Sequence, residues 1–371
     1  MSLRRTEDYL NKKYNFKYNV VTSKTEFKLK NTTNFIELDE YDLNSLYREL
    51  HHNDIKIAKK NIADLLKSDF VNKYNPFEDY FNSLPKWDGQ VDHIGNFCNT
   101  IQTHNDVDFR WAFRKWFVAM VACSIDSKIV NHTVLILSGQ QGIGKSSWFV
   151  KLIPQRLQEY YFSGIINPNS KDDLMQLSKN LIVHMDELST FNKKDVEAFK
   201  EMITKPNYEL RKAYGHFHEN FIRRASFIGS TNNVNILTDT TGNRRFLVFK
   251  ALKINYQTNV DIDLLFAQAL VMFNNNNFKY YFDQQDTQRI EANNQVFVDK
   301  CQERELLEKF FRAPKANETS ETLTATDIID YINDNSNNKR YNLNNNTIGK
   351  ELHAMGFEKV KRGYKVVKLK L

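Results

Sequence analysis

Cysteine is scarce in this sequence of 371 residues, which contains only Cys98, Cys123 and Cys301. Three widely spaced cysteines fit neither a disulfide framework nor a zinc site. Long apolar runs are also missing, and the longest, from 116 to 125, is too short to cross a bilayer. The N-terminal stretch is polar, so no signal peptide is expected. These absences argue against a membrane or secreted protein and predict a cytoplasmic location.

Acidic residues are outnumbered by basic ones, and the formal net charge of +7 is compatible with a polyanionic partner without proving one. Hydrophobic residues make up 41% and charged residues 26% of the sequence, as in typical globular proteins. Because single cores stop growing at about 250–300 residues, a chain of 371 residues predicts two or three domains.

A glycine-rich motif directly follows the apolar run 133–137 and reads G-x-x-x-x-G-K-S. A strand leading into this spacing predicts a phosphate loop and argues against an unrelated glycine turn. Backbone N–H groups would surround the phosphates of ATP, Lys145 would reach the β and γ oxygens, and Ser146 would supply a Mg²⁺ ligand. A helix is expected to begin near Lys145, with its positive end towards the phosphate. The predicted ATP contacts are Gly139, Gln140, Gln141, Gly142, Ile143, Gly144, Lys145, Ser146 and Ser147.

Two acidic residues, Asp186 and Glu187, follow the apolar run 181–185. The carboxyl ends of parallel strands form the sheet edge where ligands bind. Asp186 is predicted to hold Mg²⁺ together with Ser146, and Glu187 to orient and polarise the attacking water. Two acids after an apolar run are also common at helix starts, but the upstream phosphate loop favours the catalytic interpretation. His184 is predicted to be a packing residue of the strand.

Asn232 ends the next apolar run. It is predicted to hold the lytic water or sense the γ-phosphate, and an ordinary Asn turn is the alternative.

Arg244 and Arg245 precede the last apolar run of the core. Because Lys145 already serves the site, one of the two arginines is predicted to reach a neighbouring subunit's nucleotide as an arginine finger, with Arg244 as the first candidate. A surface salt bridge is the competing use.

Residues 208–221 predict a hairpin with an Ala-Tyr-Gly-His tip, located between the acids and Asn232. Basic and aromatic side chains near a turn suit a loop that grips a phosphate backbone and stacks on bases. A surface hairpin with incidental charge is the alternative. The candidate DNA contacts on this hairpin are Arg211, Lys212, Tyr214 and His216.

Alternating strands and helices from 133 to about 249 predict a mostly parallel sheet covered on both faces, and hence an α/β fold class. A long helix from Asp108 to Ile125 is expected before this core. Further upstream, the patterns predict a short helix, a hairpin and two amphipathic helices. The predicted core strands are 133–137, 181–185, 224–230 and 245–249, and the predicted N-terminal hairpin strands are 17–21 and 25–29.

The C-terminal region predicts two helices, at 324–332 and 346–355, and then a basic segment with a turn at Arg362-Gly363. This is the pattern of a winged-helix domain, whose second helix could enter a major groove while the wing contacts phosphates. A small protein-binding domain is the alternative. The candidate DNA contacts here are Lys350, Lys359, Lys361, Arg362 and Lys365.

Taken in order, these motifs resemble the virulence-associated protein E group of P-loop ATPases, which are related to superfamily 3 helicases and occur in phages and mobile elements. The resemblance covers about residues 75–250 and rests on the order and spacing of its matches. They are the Leu-Pro-Lys-Trp-Asp-Gly stretch at 84–89, the phosphate loop, 185–188, 213–215, 230–233 and 240–246.

The resemblance implies an AAA+-type core, a hexameric ring and ATP-driven translocation on DNA during replication of a mobile element. In superfamily 3 relatives the hairpin lines the central pore, a role that falls here on Lys212, Tyr214 and His216. The arginine that acts in trans would be Arg244 or Arg245. Many related proteins carry a primase domain, but no acidic metal-binding cluster precedes residue 85. We therefore expect no primase activity in this chain and a separate primase as a partner.

The sequence thus predicts an ATP- and Mg²⁺-dependent helicase-like motor that acts on single-stranded DNA and an origin duplex, with ATP sites between the subunits of a ring. Two alternatives stay open: an ATP-switched DNA-binding initiator or loader that does not unwind, and a protein-directed AAA+ ATPase of remodelling or defence. The predicted domains are an N-terminal α/β or helical module (1–85), a helical lead-in (86–130), the ATPase core (131–300) and a winged-helix domain (301–371).

Overall fold

The computed structural model describes residues 2–186, 193–211, 217–237, 243–255, 257, 259–298, 301–315, 318–336 and 340–369. It divides into two units. One comprises Met1–Val234 with Asn243–Asn294, and the other comprises Asn235–Gly242 with Gln295–Leu371. Across the described part of the chain, no helix is both long and apolar enough to cross a membrane.

The first unit begins with a small sheet covered by helices. Its elements are α1 (Ser2–Lys13), β1 (Tyr14–Asn19), β2 (Lys24–Leu29), β3 (Ile36–Glu37), α2 (Glu40–His52), α3 (Lys59–Leu65) and β4 (Asn72–Tyr74). The strand order is β3-β2-β1-β4, in which β1 and β2 are antiparallel and β4 lies parallel to β1. The predicted hairpin and the two amphipathic helices are confirmed. Leu10, Leu46, Leu50 and Ile62 form the centre of the core beneath them.

Three helices and a short strand lead into the larger sheet: α4 (Pro76–Asn82), α5 (His93–Cys98), β5 (Ile101–Thr103) and α6 (Asp106–Ile125). The long helix predicted from Asp108 is α6, which begins at Asp106 because the side chain of Asn105 accepts a hydrogen bond from the Asp108 amide and caps it. From Trp116 to Ser124 every residue of α6 is buried. A helix that is apolar all round lies inside a core, and α6 does so here.

The rest of the first unit supplies the larger sheet and its covering helices. The elements are β6 (Val134–Ser138), α7 (Lys145–Val150), β7 (Tyr161–Ser163), α8 (Lys171–Lys179), β8 (Ile182–Asp186), α9 (Lys193–Met202), β9 (Asn207–Leu210), β10 (Glu219–Ile222), β11 (Ser226–Thr231), β12 (Phe246–Ile254), α10 (Ile262–Asn274) and α11 (Gln284–Asn294). The strand order is β5-β12-β6-β11-β8-β7, with β5 antiparallel to β12 and the other strands parallel. The predicted mixed α/β class and all four predicted core strands are confirmed.

The second unit contains α12 (Gln302–Phe310), β13 (Phe311–Arg312), β14 (Glu321–Leu323), α13 (Ala325–Asp334), α14 (Asn345–Ala354), β15 (Lys359–Val360) and β16 (Gly363–Lys368). β16 pairs antiparallel with β13, β14 and β15. The two predicted helices and the basic hairpin are therefore present, and Val360 pairs with Gly363 across the predicted turn. Ile328, Ile332 and Leu352 lie at the centre of this unit's core.

Candidate active site

The glycine-rich segment forms a tight loop between β6 and α7, and α7 begins at Lys145 as the sequence predicts. The strand before it is completely buried, so the loop starts from a rigid support. A Cβ atom at Gly139 would lie 2.6 Å from the main-chain oxygen of Ala251, and only glycine fits this approach. Gly142 and Gly144 also have positive φ angles, of 83° and 96°. The loop geometry thus accounts for the glycines of the motif.

The ammonium group of Lys145 lies at the centre of the loop. Its Nζ donates hydrogen bonds to the main-chain oxygens of Gly139 (2.8 Å) and Gln140 (2.8 Å) and to Oδ1 of Asn232 (3.0 Å). Burial lowers the pKa of Lys145, and the nearby charge of Asp186 opposes that shift. Lys145 and Asn232, which were predicted as site residues from separate motifs, are therefore in direct contact.

Parallel pairing brings the ends of three strands to one sheet edge. Ser230 of β11 pairs with Asp186 of β8, and Thr231 pairs with Ser138 of β6. As a result Ser230 stands between the two predicted Mg²⁺ ligands: its hydroxyl donates a short hydrogen bond to Oδ1 of Asp186 and lies 3.4 Å from Oγ of Ser146. The sequence assigned no role to Ser230, although it immediately precedes Thr231-Asn232.

His184 is buried in β8, as predicted for a packing residue, but both of its ring nitrogens have polar partners. Nε2 lies 2.9 Å from Oγ of Ser230, and Nδ1 lies 2.5 Å from the hydroxyl of Tyr161 on β7. Burial lowers the pKa of His184, with the Asp186 charge acting in the opposite direction. Burial and then the Asp186 charge raise the pKa of Tyr161 to about 12. Burial therefore disfavours the charged forms of both the imidazole and the phenol beside the site.

A cavity of about 320 Å³ opens at this edge of the sheet. Its lining offers loop amides, one ammonium group, and the oxygens of hydroxyl and carboxylate groups. Mg²⁺ is usually held by one or two carboxylates together with substrate phosphates, so this oxygen set fits a nucleotide-bound Mg²⁺. Within the described residues, no group of three or more His, Cys, Asp or Glu side chains forms a separate metal cage. The lining residues are Gln141, Gly142, Gly144, Lys145, Ser146, Ser147, Asp186, Ser230, Thr231 and Asn232.

The two candidate finger residues lie at the opposite edge of the sheet. Phe246 pairs with Val134 at the amino end of β6, and Arg244 and Arg245 immediately precede it. About 13 Å of strand therefore separates them from the phosphate loop of their own chain, far beyond hydrogen-bond reach. They line a second cavity, of about 540 Å³, together with His132. Burial, Arg223 and Arg245 all lower the pKa of His132.

The hairpin prediction is confirmed by the antiparallel pair β9 and β10, which joins Leu210 to Glu219. Arg211 is exposed just beyond β9. The tip residues Lys212, Tyr214 and His216 lie outside the described residues, as does Glu187, so their predicted roles stay predictions.

The basic side chains predicted to contact DNA in the second unit differ in their surroundings. Lys365 is half-buried and forms an ion pair of 2.9 Å with Glu358. The ammonium group of Lys359 lies 6.0 Å from the centre of the Tyr364 ring. Lys361 and Arg362 are exposed at the turn between β15 and β16, and Lys350 is exposed on α14. The turn therefore presents its positive charge to solvent more directly than the strand does.

Tyr161 gave no signal in the sequence, because β7 is only three residues long and has no recognisable periodicity. Its hydroxyl reaches the site only through the pairing of β7 with β8. Ser230 could have been noticed as a hydroxyl at the end of a buried strand, at the same sheet edge as Asp186. Its hydrogen-bond partners, His184 and Asp186, could not have been predicted, because they meet Ser230 only through the order of the strands in the sheet.

A family model described as the virulence-associated protein E-like domain matches residues 81–299, more than half of the chain. The match includes the phosphate loop, Asp186, Asn232 and both candidate finger arginines. Among curated protein sequences, none matches.

Three solved structures of the NrS-1 C-terminal region are similar to the chain at 16% sequence identity. An apo structure of NrS-1 residues 305–718 has a TM-score of 0.48 and covers 90% of this chain and 80% of that chain. Two A-form apo structures of the same region are also similar. One has a TM-score of 0.42, and the match covers 80% of this chain and 69% of that chain. The other has a TM-score of 0.46, and the match covers 82% of this chain and 77% of that chain.

Proposed function

This chain belongs to the virulence-associated protein E-like domain family, and from that premise we propose that it is an ATP-hydrolysing, DNA-directed motor of the helicase type. It would serve replication of a phage or mobile element and act as a hexameric ring with ATP sites between subunits. The observation that carries the proposal is the convergence of Lys145, Asn232, Asp186 and Ser146 at one sheet edge, with Lys145 bonded directly to Asn232.

Each residue has a distinct task in this proposal. When bound, Mg²⁺–ATP would supply the γ-phosphoryl group that is hydrolysed, and the metal ion would neutralise the negative charge on the phosphate oxygens. Lys145 binds the β and γ oxygens, while Ser146 and Asp186 hold the metal. With its Oδ1 facing Lys145, Asn232 can turn its amide N–H groups towards the γ-phosphate. Glu187 follows Asp186 in sequence and orients the attacking water.

The arrangement of strands supports an AAA+-type core. In the order β12-β6-β11-β8-β7, one strand separates the phosphate-loop strand from the strand that ends in Asp186. That intervening strand, β11, leads directly into Asn232 and so delivers an uncharged amide between the lysine and the carboxylate. The remoteness of Arg244 and Arg245 from their own phosphate loop supports a role at a neighbour's nucleotide.

Two separate surfaces support DNA as the partner. Arg211 is exposed at the end of β9, and the residues that follow it in sequence, 212–216, include basic and aromatic side chains. In the second unit, α13, α14 and the β15–β16 hairpin follow each other in the order of a winged-helix domain, with Lys361 and Arg362 at the exposed turn. The hairpin would follow single-stranded DNA, and the second unit would bind an origin duplex.

The decisive experiment measures the ATPase rate with and without single-stranded DNA, together with the particle mass in the presence of a non-hydrolysable nucleotide. We expect DNA stimulation and a ring-sized particle. Lys145→Ala should reduce hydrolysis to background, and Glu187→Gln should bind ATP without turnover. Lys171→Ala, which changes an exposed lysine on α8, is the matched control and should behave as the wild type.

Three outcomes would change the proposal. An ATPase rate indifferent to DNA would favour a protein-directed ATPase. DNA stimulation without strand displacement on a forked substrate would favour a switch that loads or initiates. Normal turnover by Glu187→Gln would remove the assignment of the residue that orients water.

A further inference from the structure

A chain of four side chains runs from the edge of the sheet into the candidate metal site. It connects Tyr161 on β7, His184 and Asp186 on β8, and Ser230 on β11. His184 and Ser230 are each only 1% exposed, so their polar atoms depend on one another for hydrogen bonds. The proposed hydrolysis mechanism uses only the last member, Asp186, which leaves the purpose of the other three open.

The directions of the two inner hydrogen bonds follow from the chemistry of the partners. An ionised carboxylate only accepts, so the single proton of Ser230 points to Asp186. Ser230 must then accept from Nε2–H of His184. The remaining ring nitrogen, Nδ1, lies 2.5 Å from the Tyr161 hydroxyl, and this contact is the outer hydrogen bond of the chain. The chain is therefore continuous from Tyr161 to Asp186, and its two inner bonds run from His184 to Ser230 and from Ser230 to Asp186.

This direction also determines what Ser146 does. Because the proton of Ser230 is committed to Asp186, the contact of 3.4 Å between the two hydroxyls has Ser146 as its donor. The lone pairs of Ser146 are then left to face the cavity that it lines. One buried hydroxyl thus orients both oxygen atoms that the proposed function assigns to Mg²⁺.

We infer that Ser230, aligned by His184 and Tyr161, is a positioning residue that orients Asp186 and Ser146 for Mg²⁺. The inference rests on the proposed function, because it concerns the metal of that same site. Groups that orient metal ligands typically contribute about 10–100-fold to metal affinity or activity. Nucleotide binding in the absence of metal should depend on the phosphate loop instead.

The test measures metal binding directly, with Mn²⁺ as the probe and the full chain in the presence of a non-hydrolysable ATP analogue. Free Mn²⁺ is quantified by electron paramagnetic resonance. Ser230→Ala should weaken Mn²⁺ binding by about 10-fold or more and leave metal-free nucleotide affinity within about twofold of wild type. Ser178→Ala removes another buried serine hydroxyl, which has no hydrogen-bond partner among the described residues, and should change neither quantity.

Substitutions at His184 separate positioning from packing. His184→Gln keeps an N–H donor for Ser230. It should therefore retain more Mn²⁺ affinity than His184→Leu, which fills a similar volume but has no hydrogen-bond donor. Tyr161→Phe keeps the ring at a half-buried site and should weaken Mn²⁺ binding by at least about threefold. If thermal unfolding shows that Ser230→Ala does not fold, Tyr161→Phe replaces it as the deciding variant.

Unchanged Mn²⁺ affinity in Ser230→Ala, or in Tyr161→Phe where that variant replaces it, would overturn the inference. Equal losses in His184→Gln and His184→Leu would also overturn it, because packing alone would then account for both. Failure of the proposed function is distinguishable from these results. A defective ATP site would leave the wild-type chain unable to bind nucleotide, with or without the metal, whereas a protein-directed ATPase would still bind nucleotide and would lack only stimulation by DNA.

Discussion

Among the described residues, Arg223 is the largest charged side chain that is completely buried, and its hydrogen bonds run to main-chain atoms of separate segments. The guanidinium donates to the carbonyl oxygens of Lys205 (3.1 Å), Ala225 (2.8 Å), Asn131 (2.9 Å) and Ile203 (3.0 Å). These carbonyls lie just before β6 and β11 and just after α9. Arg223 therefore joins the base of the β9–β10 hairpin to the amino edge of the sheet.

Replacing this side chain should be costly for stability. Arg223→Met removes four donors and leaves buried carbonyls without partners, for which we expect a loss of about 3 kcal/mol in the free energy of unfolding. Arg224→Met is the matched control. Among the described residues, the Arg224 guanidinium makes one hydrogen bond, of 3.3 Å to the main-chain oxygen of Ser178, and should contribute about 1 kcal/mol or less. Urea unfolding followed by circular dichroism measures both. Equal losses of unfolding free energy in the two variants would contradict the role assigned to Arg223.

A second residue with several partners, Glu49, gives a pH-dependent prediction. Its carboxylate accepts hydrogen bonds from Tyr9 (2.7 Å), Lys13 (2.8 Å) and Tyr14 (2.7 Å). Burial by itself would raise the pKa of Glu49, but the bonds from Lys13, Tyr9 and Tyr14 outweigh it and leave that pKa lowered. The stabilisation is therefore present above the ordinary glutamate pKa of 4.5 and is lost as the pH falls through the folded-state value.

We expect Glu49→Gln to lower the free energy of unfolding by about 1–2 kcal/mol at neutral pH, and the difference from wild type to shrink in acid. Denaturant unfolding at a series of pH values measures this dependence. Glu40→Gln serves as the control, because Glu40 pairs with Lys59 while 72% of its side chain is exposed, and such pairs contribute less than about 0.5 kcal/mol. If the difference in unfolding free energy between Glu49→Gln and the wild type grew as the pH fell, the stabilising role of the Glu49 carboxylate would be contradicted.

At the scale of elements, long apolar segments and hairpins marked by a turn were predictable from sequence, whereas the short strands β5 and β7 were not. In α6 the apolar residues Phe109, Ala112, Phe113 and Trp116 recur at helical spacing, and the four principal sheet strands are short runs of mostly apolar residues. β5 and β7 have three residues each and exist because neighbouring strands supply hydrogen-bond partners. The same limit applied to the site: Lys145, Asp186 and Asn232 could be selected by motif, whereas Tyr161 could be identified only once β7 lay beside β8.

The basic β15–β16 hairpin gives a prediction at this scale. Each phosphate contact adds about −0.9 to the slope of log affinity against log salt for duplex DNA. Lys361→Ala and Arg362→Ala, at the exposed turn, should each make the slope less negative by nearly that amount. Lys365→Ala is the internal comparison and should change it by less than about half as much, because Glu358 already pairs with Lys365. Fluorescence anisotropy of labelled duplex at several salt concentrations measures the slopes. Unchanged slopes in both turn variants would favour a protein-binding role for this unit.

For the whole molecule, the main feature is that its candidate catalytic groups lie at two opposite edges of one sheet. The phosphate loop, Asp186 and Asn232 are at the carboxyl edge, and Arg244 and Arg245 are at the amino edge. The chain order of these motifs could be read from the sequence. Their separation required the parallel register, which aligns Phe246 with Val134. Under the proposed function, a single chain would hold two halves of different sites, and a head-to-tail ring would join each half to its neighbour's.

This arrangement predicts rescue between two inactive variants. In an equal mixture of Lys145→Ala and Arg244→Ala chains, about one interface in four would combine an intact Lys145 with an intact Arg244 from the neighbour, so about a quarter of wild-type ATPase activity should return. Lys145→Ala mixed with Asp186→Ala is the matched control, because both changes affect the same side of the interface and no mixture restores it. ATPase rates after the subunits are mixed and allowed to exchange measure the recovery. Recovery in neither mixture, or equal recovery in both, would mean that Arg244 does not act on a neighbouring subunit's nucleotide.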